Sequence, residues 1–152
     1  MAVYNVLTLP DQGLRSKSVP IEKINNGVLR AMDNIRDTMY AADGVGLAAP
    51  QIGILKRMIA VDAGDNLLEL INPEIIRAEG EQTGREGCLS VPKMVGKVSR
   101  AMDITVKARN RNWEEVVIEA SGIEARALLH EIDHLDGILF IDRATETYRE
   151  RD

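Results

Sequence analysis

The chain has 152 residues, of which 45% are apolar, 28% charged and only 3% aromatic, and its net charge is −5. That is one domain's length (1–152), with enough chain to bury a core built on Leu, Ile, Val, Ala and Met. The acidic balance and the lack of a dense Lys/Arg run exclude a nucleic-acid backbone as the main partner. No apolar run reaches the roughly 18 residues of a membrane span. The start, MAVYNVLTLP, is not a secretory signal. A single cysteine makes no internal disulfide, so the reducing cytoplasm is the expected location.

In chain order, residues 22–42 carry Ile24, Val28, Met32, Ile35 and Met39 at helical spacing, which predicts an amphipathic helix ending at Asp43-Gly44. GVGLAAPQIG follows, too rich in glycine for a regular element and too apolar for an ordinary loop. The middle is strand-like: Arg57–Val61, Leu67–Ile71 and Glu74–Ala78 are short and aliphatic. Asp103–Lys107 and Glu115–Ala120 read as paired strands joined by the polar Arg-Asn-Arg-Asn turn within 108–112. Strands in series without alternating helices favour an antiparallel α+β layout.

The last helix is the clearest element. Ser121 with Glu124 forms a capping-box pattern, and Gly137 supplies a left-handed stop. Leu128, Ile132 and Leu135 make one apolar stripe; Ile123, Ala127, His130 and His134 make a second on the opposite side, at about 100° per residue. A helix wanted on both sides is a core helix. The expected fold is a small α+β domain, its antiparallel sheets packed around this central C-terminal helix.

Residues 130–134 read HEIDH and contain the chain's two histidines. Spaced i and i+4 on one helical face, they bring two imidazole nitrogens within reach of one metal ion. Glu131, next round the helix, can serve a metal-bound water as acid/base without ligating the metal. The bland alternative is two core histidines, but neutral imidazoles suit a buried stripe poorly unless something pairs with them.

A catalytic site of this kind needs a third protein ligand and an open position. A histidine six residues after the motif is ruled out by Phe140, and a glutamate some 20 residues on would pass the chain end. Asp136, Asp142 and Glu146 are nearby, Asp136 on a different helical face. By elimination Cys88, in EGCLS, is the candidate, held by turns at Gly84 and Gly87. Its competing reading is a small buried hydrophobe.

Three segments together, GVGLAAPQ (44–51), EGCLS (86–90) and HEIDHLDG (130–137), resemble in order and spacing the three signature motifs of the peptide deformylases. LPDQGLR (9–15) and the ARALLHEIDHLDGILFID run fit as well, so the resemblance spans nearly the whole chain. It implies hydrolytic removal of the formyl group from N-terminal formyl-methionine by metal-bound hydroxide. It also implies one divalent metal per chain, ferrous iron foremost, with zinc, nickel or cobalt as alternatives. Carried over, Cys88, His130 and His134 are ligands, and Glu131 is the acid/base. Gln51 and the Leu89 backbone N–H donate to the oxyanion, while the backbone at Val45 and Gly46 lies beside the substrate.

Many members have Gln before HE where this chain has Leu129; a glutamine there would support the site by hydrogen bonding. Arg100 lies where the family often has an arginine near the substrate, with a solvated surface charge as the competing reading. Trp113, after a turn, is expected to cover a sheet edge. The end, TETYRERD, lacks the long basic tail of a ribosome-docking helix, so ribosome contact rests on the resemblance alone. A metallopeptidase of other specificity and a catalytically silent metal-binding homologue are the alternative functions.

Overall fold

Asn25 starts the first helix. In the computed structural model, which describes residues 3–64 and 66–150, its Oδ1 accepts a hydrogen bond from Val28 N–H at 2.9 Å. Helix α1 (Asn26–Ala41) therefore begins four residues later than the periodicity predicts. Met32, Ile35 and Met39 are its buried stripe. Its exit lies at the expected Asp43-Gly44, where Asp43 is the left-handed residue (φ 54°).

The segment after α1 is more regular than its composition suggests. Gly46–Ala48 form strand β1, and Ala49–Ile52 a single 3-10 turn opened by Pro50. β1 is the edge of a five-stranded antiparallel sheet that continues through β2 (Met58–Asp62), β3 (Leu67–Glu79), β6 (Asp103–Arg109) and β7 (Glu115–Ser121). The expected strands 67–71 and 74–78 are the two arms of β3. Its register shifts between Ile71 and Glu74, at Pro73, which cannot donate to a ladder. There Asn72 turns aside, and its amide holds the Ile21 backbone through bonds of 2.9 and 2.7 Å.

The strand period explains how the sheet is covered. Along β2, Met58 and Ala60 join the α1 core, whereas Ile59 and Val61 join Leu128, Ile132 and Leu135 of α2 (Gly122–Leu135). A second sheet was expected on the other face of the central helix, but its strands were not located. Its strands β4 (Gln82–Cys88), β5 (Val91–Arg100) and β8 (Glu146–Arg149) pair in that order. Gly84, Gly87, Pro92 and Gly96 mask them, because those residues are poor strand formers that tertiary pairing overrides. Val91 and Val98 of this sheet pack against Leu139 and against Phe140 of the short helix α3 (Phe140–Arg143).

Helix α2 thus lies between the two sheets, as its two stripes require. Its start departs from expectation. Ser121 makes no capping bond, and its hydroxyl donates instead to Asp103 Oδ1 at 2.6 Å. The helix leaves a left-handed Gly122 (φ 60°) whose N–H is held by Met102 O. Its end follows the sequence. Gly137 is left-handed (φ 76°), and a Cβ there would meet Arg15 O at 2.5 Å. Trp113, itself at positive φ, packs partly buried on the α1 core under the Arg109 guanidinium. No helix among the described residues is long and apolar enough to cross a membrane.

Candidate active site

Two elements build the site. Helix α2 presents His130 and His134 toward the second sheet and Glu131 toward strand β1, and strand β4 ends at Cys88. Cys88 is not held by glycine turns, since Gly84 and Gly87 lie inside β4. The two-residue turn Leu89–Ser90 that joins β4 to β5 fixes it, with Cys88 paired to Val91. On the β5 side, the register absorbs a bulge through left-handed Lys93 (φ 64°).

One ligand atom each from Cys88, His130 and His134 lies within 4.8 Å of the others. Cys88 Sγ is 3.3 Å from His134 Nε2, and the two imidazoles meet edge to face with centroids 5.1 Å apart. Glu86 Oε1 accepts from His130 Nδ1 at 2.9 Å. A carboxylate accepts only, so this bond puts the ring proton on Nδ1 and leaves Nε2 open toward the cluster. Of the other acidic candidates, Asp136 and Asp142 are in ion pairs with Arg57 and Arg15, and Glu146 is exposed in β8.

The charges around the cluster separate its two histidines. Burial opposes a charged His130, yet Cys88, Glu131 and Glu86 outweigh it and raise that pKa to about 10. Burial pushes His134 well below its usual value, with the His130 charge adding to the effect. A half-buried thiol and two imidazoles thus converge beside a buried carboxyl, one ring holding a proton and the other refusing one. Soft sulfur with two imidazole nitrogens suits a divalent transition metal. The residues fit the group.

Glu131 is buried, and its Oε1 has no hydrogen-bond partner among the described residues. Burial raises its pKa to about 7, with the charges of Glu86 and Asp133 adding and those of His130 and Arg100 opposing. Gln51 is fixed from two sides. Its Oε1 accepts from Ala48 N–H at 3.0 Å, and its Nε2 donates to Ser90 Oγ at 3.0 Å. The same Nε2 lies 3.7 Å from Cys88 Sγ, which turns the amide donor toward the cluster.

A cavity of about 500 Å³ opens onto these groups. Val45, Gly46, Gln51, Cys88, Leu89, His130 and Glu131 all line it, while His134 sits behind, almost fully buried. Ile123, expected on the inner stripe, is instead 71% exposed at the N-terminal end of α2, where it lines the cavity together with Ala127.

Five supporting residues were not legible as such. Arg100 is neither a surface charge nor part of the cavity wall. It is buried, donating from Nε and Nη2 to Glu86 at 2.8 and 2.9 Å and from Nη1 to Asp133 at 2.9 Å. Arg126 also donates to Glu86, and Arg143 chelates Asp133 at 2.5 and 2.9 Å. The only sequence signal was placement: Glu86 two residues before Cys88 on one strand face, Asp133 inside HEIDH. Leu129 joins the apolar cluster between α2 and the five-stranded sheet. The hydrogen-bonded support of His130 comes from Glu86 on the neighbouring strand.

Residues 3–150 match the polypeptide deformylase family. The chain is 62% identical over 151 residues to a peptide deformylase of Syntrophomonas wolfei, covering 99% of each chain. It superposes on the crystal structure of the Thermotoga maritima peptide deformylase with a TM-score of 0.93 and 37% identity, over 96% of this chain and 100% of that one. A class I type b peptide deformylase from Acinetobacter baumannii, solved with Met-Ala-Ser bound, superposes with a TM-score of 0.90 and 35% identity, over 93% of this chain and 98% of that one. With its three motifs brought to one buried cluster, the chain belongs to the polypeptide deformylase family, metal-dependent enzymes that remove formyl groups from nascent peptides.

Proposed function

We propose that Cys88, His130 and His134 hold one divalent metal, natively Fe²⁺, with Zn²⁺, Ni²⁺ and Co²⁺ as substitutes, and that this site deformylates N-formylmethionyl peptides. The observation that carries the proposal is the convergence of these three ligand atoms within 4.8 Å on a cavity lined also by Glu131, Gln51 and Leu89. A divalent cation there supplies Lewis acidity, polarising a carbonyl and acidifying water.

The chain's own groups supply the rest. Glu131, with its pKa raised by burial to about 7, takes a proton from the attacking water and hands it to the leaving amine. Gln51 Nε2, locked by Ala48 and Ser90, and the Leu89 backbone N–H at the hairpin turn donate to the oxygen on which charge develops. The backbone of Val45 and Gly46 runs along the cavity as its wall for the peptide. The Met-Ala-Ser bound in the Acinetobacter baumannii structure supports a methionyl peptide as ligand. A ribosome-docking element finds no added support here, since Glu146–Arg149 pair with β5 as a strand.

The test is release of amine and formate from formyl-Met-Ala-Ser by protein reconstituted without oxygen, once with iron and once with nickel. Release is expected with either metal, abolished by a chelator, and reduced about 1,000-fold or more in Glu131→Ala. Folded protein with one metal per chain and no release would overturn the proposal. Cleavage of casein instead would favour a metallopeptidase.

A further inference from the structure

We propose that Gly46 is a positioning residue for Glu131: strand β1 lacks a side chain at this point so that the Glu131 carboxyl can lie flat against its backbone. The proposal rests on the reading of Glu131 as the proton carrier. A Cβ built on Gly46 would lie 2.6 Å from Glu131 Oε2, 2.8 Å from Cγ and 3.0 Å from Cδ. Gly46 has no positive φ, so its backbone conformation suits any residue, and what demands glycine there is the neighbouring carboxyl. Gly44, in the same motif, differs: the atom a Cβ there would first meet is a Leu89 methyl at 3.2 Å.

Packing has to hold Glu131 because hydrogen bonding does not: its buried Oε1 has no partner among the described residues. The wall it lies against is stiff. Gly46 pairs with Val61, Val45 O accepts from Asp62 N–H at 2.8 Å, and Ala48 N–H is bound to Gln51. A methyl at position 46 would therefore displace the free end of the Glu131 side chain and leave the strand in place. Because Ala48 also orients Gln51, one three-residue strand sets both polar groups that flank the metal cluster.

The experiment uses the full chain, loaded with nickel, as wild type and as Gly46→Ala, with a structure determined for each. The expected result is a Glu131 carboxylate moved by more than about 1 Å, nickel content unchanged and kcat lower by about 100-fold. KM should change by less than about threefold, the mark of a loss confined to the transition state. An unmoved carboxylate, or a shifted β1 with Glu131 in place, would overturn the inference. Should Gly46→Ala not fold, recovery of folding in Gly46→Ala/Glu131→Asp supports the contact, and unfolding of both overturns it. Full activity in Glu131→Ala would sink the proton-carrier role, while the carboxylate position in Gly46→Ala would still decide the present claim.

Discussion

The two sides of helix α2 are held by opposite means. Toward the five-stranded sheet, Leu128, Ile132 and Leu135 pack on Ile59, Val61, Leu70 and Ile104, contacts without direction that any well-shaped apolar side chain could make. Toward the second sheet, His130, Asp133 and His134 sit among Glu86, Arg100 and Cys88, where each group depends on a named partner at a given distance. The lesson is about failure. The apolar side loses stability in proportion to the volume removed, whereas the polar side fails when one partner leaves another buried and alone.

The largest effect should come from Glu86→Ala. It leaves buried Arg100 with Asp133 but without its bidentate partner, with an expected loss of about 3–5 kcal/mol of stability. It also frees the His130 ring, so metal affinity should fall about 10- to 100-fold. Denaturant melts and metal titration read the two together; a variant that loses neither would break the contrast between the two sides. The same carboxyl has a pH signature. Burial alone would raise its pKa, but Arg100 and His130 outweigh burial and hold it at about 2, below its ordinary 4.5. A depressed carboxyl contributes stability fully above the unfolded value and loses it as pH falls through the folded one. Metal-free protein should therefore lose stability between pH 4.5 and about 2, and Glu86→Gln should flatten that decline.

Leu128→Ala on the apolar side should destabilise by about 2–5 kcal/mol, yet leave metal affinity unchanged at temperatures where the variant is folded. A fall in affinity would mean that the two sides are coupled. The smallest effects concern the helix starts. Asn25→Ala should lose about 1 kcal/mol with the cap on α1. Ser121→Ala should change stability by less than about 0.5 kcal/mol, because its hydroxyl caps nothing. Equal losses would restore the capping box that the sequence suggests.

What could be read in advance follows the same division. Helix α1, the central helix and most of the five-stranded sheet were legible because a 3.6- or 2-residue apolar period is written locally. The strands of the second sheet were not: glycines and a proline stand where β-branched residues would announce strands, and only pairing such as Gly84–Val98 and Glu86–Gly96 makes them extended. The histidines were legible because their i, i+4 spacing is itself the geometry, and Cys88 only by elimination and by the resemblance of EGCLS to a family motif. Arg100 was misread, since an isolated arginine in sequence says nothing of Glu86, which is 14 residues away, or Asp133, which is 33. Ser121 misled in the opposite sense, its local pattern overruled by Asp103 on the adjacent strand.

The most direct test of the central claim is to titrate metal-free protein with Co²⁺ and record the absorption spectrum. Thiolate-to-cobalt charge transfer should grow to an end point at one ion per chain, vanish in Cys88→Ala, and weaken in His130→Ala and His134→Ala. Binding without a thiolate band, or a spectrum indifferent to these substitutions, would mean that the cluster of Cys88, His130 and His134 is not the metal site.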